Sequence, residues 1–151
     1  MLLFRRFSAL FFAAFLLVVF SPLADAREMV SVARGEVNMR AGPGARYEAM
    51  WGLSRGYPLS VVARKGAWIK VRDFEKDEGW VLRSLTSRIP HHVVRAGVAN
   101  LRGAPSTHGR VLGKARYGDV LRTLERRGQW IKVRHERGAT GWVARRLVWG
   151  W

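Results

Sequence analysis

The chain has 151 residues, no cysteine, and 27 lysines and arginines against 11 acidic residues, which gives a formal net charge of +16. Disulfides and thiol chemistry are therefore excluded, and any domain must rely on an apolar core rather than on cross-links. A charge excess of this size attracts anionic partners or keeps the protein soluble.

The N-terminal segment, residues 1–26, has the pattern of a secretory signal peptide. Arg5 and Arg6 precede an apolar run over residues 7–20, and Ala24 and Ala26 form a small-x-small cleavage site. The run is shorter than the roughly 20 residues that a membrane-spanning helix needs, so an uncleaved anchor is the less favoured alternative. We therefore expect an exported protein, periplasmic or extracellular, with no stable membrane span after cleavage.

Short strand patterns separated by turn residues follow. The first two cover residues 28–32 and 36–40, and they lead into Gly42-Pro43-Gly44, which must turn the chain. Two further strands are predicted over residues 49–53 and 59–62. Pro58 stands at the start of the second of these, where a missing N–H does least harm.

The next strand, residues 68–72, alternates aliphatic and polar side chains with a period of two. We expect Ile69 and Val71 to face the core and Trp68, Lys70 and Arg72 to share the open face. A polar hairpin tip over residues 73–78, a return strand over 79–82 and a single 3₁₀ turn over 83–85 complete the unit.

The same unit occurs a second time, 62 residues later. Residues 38–85 and 100–147 are identical at 17 of 48 positions without a net insertion, which indicates a duplicated domain. We predict a first domain over residues 27–86, a linker over 87–92, a second domain over 93–148 and a tail over 149–151. With about five short strands in each unit and no helical period, the fold class is all-β, with two tandem small barrels or sandwiches.

The order and spacing of these motifs resemble the bacterial SH3-like domain. The residues that carry the likeness are Val37-Asn38-Met39-Arg40, Gly42-Pro43, Gly66-x-Trp68-Ile69-Lys70-Val71, Gly79-Trp80-Val81 and Leu85, and most recur 62 residues later. The second copy departs from the pattern where Ala104 replaces Gly42. The resemblance implies two SH3-like, partly open β-barrels and a role in holding peptidoglycan, since members are exported or envelope proteins that are often attached to wall hydrolases.

Catalytic and metal-binding patterns are weak. The four histidines lie in predicted loops, the linker or a hairpin tip, and the His91-His92 pair lacks a third donor at useful spacing. The acidic residues of 73–78 lack the glycine and the terminal glutamate of a calcium loop, so a solvated hairpin tip is favoured. We expect a protein that is not an enzyme and that needs no cofactor or metal.

The candidate ligand-binding residues combine aromatic rings with cations, a pattern suited to a sugar or peptide that bears carboxylates. They are Arg40, Tyr47, Trp68, Lys70, Arg72, Arg102, Trp130, Lys132 and Arg134. Trp80 and Trp142, by contrast, are interpreted as structural residues that close each barrel, and Asn38 and Asn100 as turn residues that satisfy backbone groups.

Two functions from different classes fit the sequence. The first is a non-catalytic exported module that binds cell-wall peptidoglycan or another anionic envelope component. The alternative is an adaptor that takes an extended peptide of an envelope protein at a sheet edge. Nucleic acid is disfavoured as a partner, because that function would mean that residues 1–26 are not an export signal.

Overall fold

The computed structural model of the protein describes residues 26–151. The predicted signal peptide therefore lies outside the described residues, apart from Ala26. In the described range the chain forms fourteen β-strands and two 3₁₀ turns, which confirms the all-β fold. Over these same residues no helix has the length and apolar character needed to cross a bilayer.

The first seven strands form one antiparallel sheet. They are β1 (Met29–Val32), β2 (Glu36–Arg40), β3 (Ala49–Ser54), β4 (Pro58–Lys65), β5 (Trp68–Arg72), β6 (Glu78–Leu82) and β7 (Thr86–Ser87). The strand order is β3-β2-β6-β5-β4-β1-β7, so the sheet curls into a partly open barrel with β3 and β7 at its edges. The predicted 3₁₀ turn over Arg83–Leu85 is confirmed.

The next seven strands repeat this topology. They are β8 (His91–Val94), β9 (Val98–Arg102), β10 (Val111–Arg116), β11 (Val120–Arg127), β12 (Trp130–His135), β13 (Thr140–Ala144) and β14 (Val148–Gly150). Their order is β10-β9-β13-β12-β11-β8-β14, which is the order of the first sheet with every number raised by seven. The duplication inferred from the sequence is thus a duplication of the whole barrel.

Each barrel closes on a small aliphatic core, as the alternation of the sequence predicts. Ile69 and Val71 are buried, whereas Trp68, Lys70 and Arg72 lie on the outer face. The equivalent Ile131 and Val133 are buried in the second barrel. The core of the first barrel consists of nine buried residues, and burying a side chain of this size stabilises the fold by about 1.5–3 kcal/mol.

Glycine at the start of β6 and β13 allows the barrel to close. A Cβ atom at Gly141 would lie 2.9 Å from the carbonyl oxygen of Arg102, and one at Gly79 would lie 3.0 Å from that of Arg40. Neighbouring positions on the same strands pair Trp80 with Arg40 and Trp142 with Arg102. A side chain at either glycine would push apart the two strands whose pairing closes the sheet.

The strands extend into two of the predicted connecting segments. Within the predicted linker of residues 87–92, Ser87 belongs to β7 and His91 begins β8, so residues 88–90 lie between the two sheets. Within the predicted tail of residues 149–151, Trp149 and Gly150 pair with β8. In both cases the strand is short and is held by its neighbours rather than by its own hydrophobic pattern.

The two barrels pack against each other through aromatic side chains. Phe74 in the first hairpin tip contacts Tyr117 of the second barrel edge-to-face, with ring centroids 5.3 Å apart. The Tyr117 hydroxyl donates a hydrogen bond to Glu75. Gly56 lies so close to His91 that a Cβ atom would be 2.7 Å from its ring. These contacts fix the cleft between the barrels.

Candidate functional site: two equivalent surface grooves

Each barrel carries a groove on its outer face, built from equivalent positions. The first has a volume of about 270 Å³, and the residues that it shares with the second are Asn38, Arg40, Trp68 and Leu85. The second has a volume of about 540 Å³ and is lined by Asn100, Arg102, Trp130 and Leu147 at the same positions, 62 residues later. The structure thus brings the predicted Arg40 together with Trp68, and Arg102 together with Trp130.

Strand geometry places the indole in the groove. Trp68 and Trp130 are the first residues of β5 and β12, directly after hairpin turns whose glycines, Gly66 and Gly128, have φ of 58° and 56°. Only glycine adopts this left-handed conformation without strain. Because side chains alternate along a strand, the tryptophan and the buried isoleucine that follows it are on opposite faces of the sheet. Each tryptophan is therefore half-buried on the outer face.

The two arginines also support the loops that border the grooves. Nη1 of Arg40 donates to the carbonyl oxygen of Tyr47 at 2.8 Å, and Nη1 of Arg102 donates to that of Gly109 at 3.0 Å. A guanidinium has five N–H donors, so this bond leaves donors for a ligand. Each arginine is therefore held in place before any ligand arrives.

The grooves differ in charge and width. Glu36 borders the first groove, and the equivalent residue of the second is Val98. The second groove also has Arg146 on its rim and Ala144 where the first has Leu82. It is consequently wider and more cationic, which favours it for an anionic ligand.

Lys70 and Arg72 do not line the groove of Trp68. Both pair with Glu78, with Lys70 Nζ 3.0 Å from Oε2 and Arg72 Nε 2.8 Å from Oε1. The hydrogen bonds from Arg72 and Lys70 hold the pKa of Glu78 below its usual value. The predicted surface of an indole flanked by these two cations is therefore altered, since Lys70 and Arg72 share the carboxylate of Glu78 and one of their two positive charges is offset.

The second barrel has threonine, Thr140, at the position of Glu78, and its cations take other places. The Lys132 ammonium lies 5.9 Å from the centroid of the Trp142 ring, and the Arg127 guanidinium lies 5.0 Å from it. Arg134 lines the cleft between the two barrels. Only Trp130 and Arg102, of the residues predicted here, share a groove.

The tryptophans of β6 and β13 lie on the outer face as well. Trp80 stands opposite Lys70, and Trp142 opposite Lys132, on neighbouring strands. Their backbones pair with β2 and β9 where each sheet closes. The Trp142 side chain is 6% exposed, with the Arg127 and Lys132 cations over its ring, so it is packed against the protein. That both tryptophans are structural stays a prediction.

Tyr47 lies on the loop beside the first groove rather than in it. Its ring packs on Gly42, where a Cβ atom would be 2.4 Å from Cδ1, and the Arg46 guanidinium stacks at 5.4 Å from its centroid. Its contribution to the groove is the carbonyl oxygen that holds Arg40.

Sequence reasoning missed two asparagines of the grooves. Asn38 and Asn100 were assigned to turns, but they lie within β2 and β9 and line the grooves. Their alternation with the buried Val37 and Met39, or with Ala99 and Leu101, is the signal that could have found them.

The acidic hairpin tip forms its own hydrogen bonds. Oδ1 of Asp73 accepts the backbone N–H groups of Glu75 and Asp77, both at 2.9 Å. Carboxylate oxygens of these three residues lie within 4.8 Å of one another. Burial raises the pKa of Asp73, and the two N–H donors oppose that shift. Hydrogen bonds of this kind are typical of a tight turn.

Comparison with known proteins finds one curated relative that is named as an amidase. This relative, the putative N-acetylmuramoyl-L-alanine amidase YrvJ of Bacillus subtilis, is 24% identical over 148 residues, and the match covers 91% of this chain and 28% of the relative. This chain therefore spans less than a third of that protein's length.

Among solved structures, the chain matches parts of NlpC1 from Trichomonas vaginalis and of an NlpC/P60 family protein from Bacillus cereus. The first is 14% identical with a TM-score of 0.36, covering 85% of this chain and 47% of the other. The second is 14% identical with a TM-score of 0.37, covering 81% and 56%.

Family profiles describe each barrel separately. Two profiles, both described as a bacterial SH3 domain, match residues 33–88 and residues 97–148. These ranges fall on the two barrels and together cover most of the chain. The chain belongs to the bacterial SH3 domain family, with one such domain in each barrel.

Proposed function

We propose that this chain is a non-catalytic, exported module that binds the bacterial cell wall, with the groove of each barrel holding peptidoglycan. The observation that carries the proposal is the recurrence of asparagine, arginine, tryptophan and leucine in both grooves, although fewer than half of the positions in the repeat are identical. Two copies of one arrangement on concave surfaces are typical of a binding site used twice.

The chemistry of the groove suits a glycan that carries peptides. An indole offers a flat apolar face for a sugar ring or a peptide backbone, and a guanidinium binds a carboxylate in bidentate fashion. The asparagine amide can donate to and accept from a peptide or an acetamido group. N-acetylmuramoyl-L-alanine, the unit named in the description of the Bacillus subtilis relative, joins such a sugar to such a peptide.

Three of the four histidines support a non-catalytic role, because their ring nitrogens make hydrogen bonds within the fold. His91 Nδ1 contacts the Ile89 carbonyl at 2.8 Å, His92 Nε2 the Trp151 carbonyl at 2.9 Å, and His135 Nε2 the Asp119 carboxylate at 3.0 Å. His108 lies in an exposed loop, 3.5 Å from the Ser106 hydroxyl, which also accepts the backbone N–H of His108 at 3.1 Å. A serine bonded to the backbone two residues on is typical of a turn.

Co-sedimentation with purified peptidoglycan sacculi tests the proposal. Trp68→Ala and Trp130→Ala should each weaken binding, the second by roughly tenfold, because removal of a stacked ring from the centre of a site costs on the order of 1–2 kcal/mol. Trp51→Ala is the matched control, since Trp51 is 53% exposed and outside both grooves. Undiminished binding by the Trp68→Ala/Trp130→Ala double variant would remove the grooves as the site.

A second candidate, the adaptor that takes an extended peptide, rests on the sheet edges. β3 and β10 are edge strands, and both expose apolar side chains: Met50 (38%) and Trp51 (53%) on β3, and Val111 and Leu112 on β10. A peptide could add a strand there. A photo-crosslinking residue at position 51 would then give one dominant protein adduct in the native envelope, and Trp51→Ala would weaken that interaction while sacculus binding stayed unchanged.

A further inference from the structure

A cleft of about 360 Å³ lies between the two barrels, away from the grooves. The first barrel contributes Ala33, Arg55 and Ser87 to its walls, and the second contributes His91, Arg122 and Arg134. Contact between Gly56 and His91, together with the Phe74 and Tyr117 rings, holds the two walls in place.

Three basic residues stand in one row across the second barrel. Arg122 of β11 is directly opposite Arg134 of β12 on one side and opposite His91 of β8 on the other. Side chains paired in this way have Cβ atoms about 5 Å apart, and like charges in such pairs are destabilising. Arg122 and Arg134 therefore place two positive charges side by side, and a bound anion would offset their repulsion.

The first barrel does not have this arrangement. The equivalent row is Met29, Ser60 and Arg72, and the single arginine is neutralised by Glu78. In the second barrel, by contrast, no carboxylate oxygen of the described residues lies within 4.0 Å of the Arg122 or Arg134 guanidinium, and the same holds for Arg55. The duplication has thus produced an uncompensated cationic row on only one side of the junction.

Arg55 reaches the row from the other barrel. Arg55 lines the same cleft as His91 and Arg122. Burial lowers the pKa of His91, and the charges of Arg122 and Arg55 act in the same direction. The Ile89 carbonyl can only accept, so Nδ1 of His91 carries the proton of their 2.8 Å hydrogen bond. Glu136 is the single carboxylate among the residues that line the cleft.

We propose that this interdomain cleft is a binding site for a phosphate group, held by Arg55, Arg122 and Arg134. Three guanidiniums from two strands and an opposing turn can bind three oxygens of a tetrahedral dianion, whereas a carboxylate offers only two oxygens in one plane. The site involves none of the groove residues, so it stands independently of the proposed function.

Titration of the protein with inorganic phosphate at constant ionic strength, followed by NMR of the arginine Nε–H and histidine ring signals, tests the site. We expect saturable shifts of Arg122 and Arg134 and a rise in the pKa of His91, because the bound anion offsets the two nearby guanidinium charges. Acetate at the same ionic strength should produce neither effect.

Two variants from opposite walls keep the test decisive. Arg122→Ser introduces the residue that the first barrel already has at this position, and Arg55→Ala changes an exposed turn, so both should fold. Each should weaken phosphate binding at least tenfold, while Arg126→Ser, on the same strand but outside the cleft, should not. Shifts that do not saturate, or an equal loss of phosphate binding in Arg126→Ser and Arg122→Ser, would contradict the site. Phosphate would then be attracted only by the overall positive charge of the protein.

The same variants separate this inference from the proposed function. Arg122→Ser should bind purified sacculi as the unmodified protein does, and Trp130→Ala should bind phosphate normally. Competition by a soluble glycerol phosphate oligomer or by phosphatidylglycerol vesicles then shows which carrier presents the phosphate group to the cleft.

Discussion

A pair of residues in the loop after β2, and in the equivalent loop after β9, explains why the second repeat accepts alanine where the first has Gly42. In the first barrel the Tyr47 ring occupies the space that a side chain at position 42 would need. In the second barrel Ala104 stands at that position, and the residue equivalent to Tyr47 is Gly109, which has no ring. The departure from the family pattern at Ala104 is therefore compensated within the same loop.

Gly42→Ala should destabilise the first barrel by about 1–3 kcal/mol, because the new Cβ atom would overlap the Tyr47 ring. In a Tyr47→Gly background the same change should cost less than about 0.5 kcal/mol, since the pair then matches Ala104 and Gly109. Urea unfolding of the two single variants and the double variant measures this coupling. Additive losses would show that the ring is not the obstacle.

At the scale of elements, His92 joins three strands. It lies on β8, opposite Leu121 of β11 and Gly150 of β14, and is 2% exposed. Its Nε2–H donates to the Trp151 carbonyl, so Nδ1 accepts the Thr123 hydroxyl at 2.7 Å. Burial lowers the pKa of His92 to about 4, with the Arg126 and Arg145 charges acting in the same direction. The residue is neutral in the folded protein.

The free energy of unfolding should therefore decrease as the pH is lowered from 6.5 to 4, because only the unfolded chain binds a proton at His92 in this range. The expected loss is about 2 kcal/mol between pH 7 and pH 5, and His91, with its lowered pKa, adds in the same direction. Urea unfolding across this range measures it. His92→Gln should remove most of the dependence, whereas His108→Gln, in an exposed loop, should keep it; equal slopes in the two variants would contradict the assignment.

The sequence predicts the long elements of each barrel because their alternation comes from their own residues. β5 and its copy β12 are examples, with isoleucine and valine buried at every second position. β7 and β8 are not predictable in this way, since two or four residues carry no period and are paired only by distant strands. The groove was predicted only in part, for the same reason. Alternation predicts the face of the sheet on which Trp68 lies. Only the pairing of strands shows that Arg40 borders the groove of Trp68 and that Glu78 forms an ion pair with Lys70.

At the scale of the whole molecule, an approximate two-fold symmetry relates the two barrels of the described chain. A second cleft between the barrels is lined by Ser60, Arg72, Phe74 and Arg95, which are equivalent to Arg122, Arg134, Glu136 and Ala33 of the first. The same surfaces of both copies therefore form the junction, as in a symmetric dimer. Charge breaks the symmetry, because Asp73 and Glu78 border the second cleft.

Tyr117 should contribute strongly to the coupling of the two barrels, in addition to the contact of Gly56 with His91. Tyr117→Ala removes the contact with Phe74 and the hydrogen bond to Glu75, and because the side chain is 51% exposed the second barrel should remain folded. Residual dipolar couplings should fit one alignment tensor in the unmodified protein and two in the variant. Leu112→Ala, which alters an equally exposed apolar residue away from the junction, should still fit one; a single tensor for Tyr117→Ala would contradict this role.

The repetition of the groove within one chain has a consequence for affinity. If the grooves bind a wall polymer as proposed, the polymer presents the same chemical unit many times. Once one groove is occupied, the other then meets the next unit at an effective concentration set by the spacing of the barrels. Bivalent attachment of this kind can strengthen binding by about 10²–10⁴ over a single groove without any new contact. Weak individual sites then suffice for lasting retention, and short soluble fragments of the polymer dissociate readily.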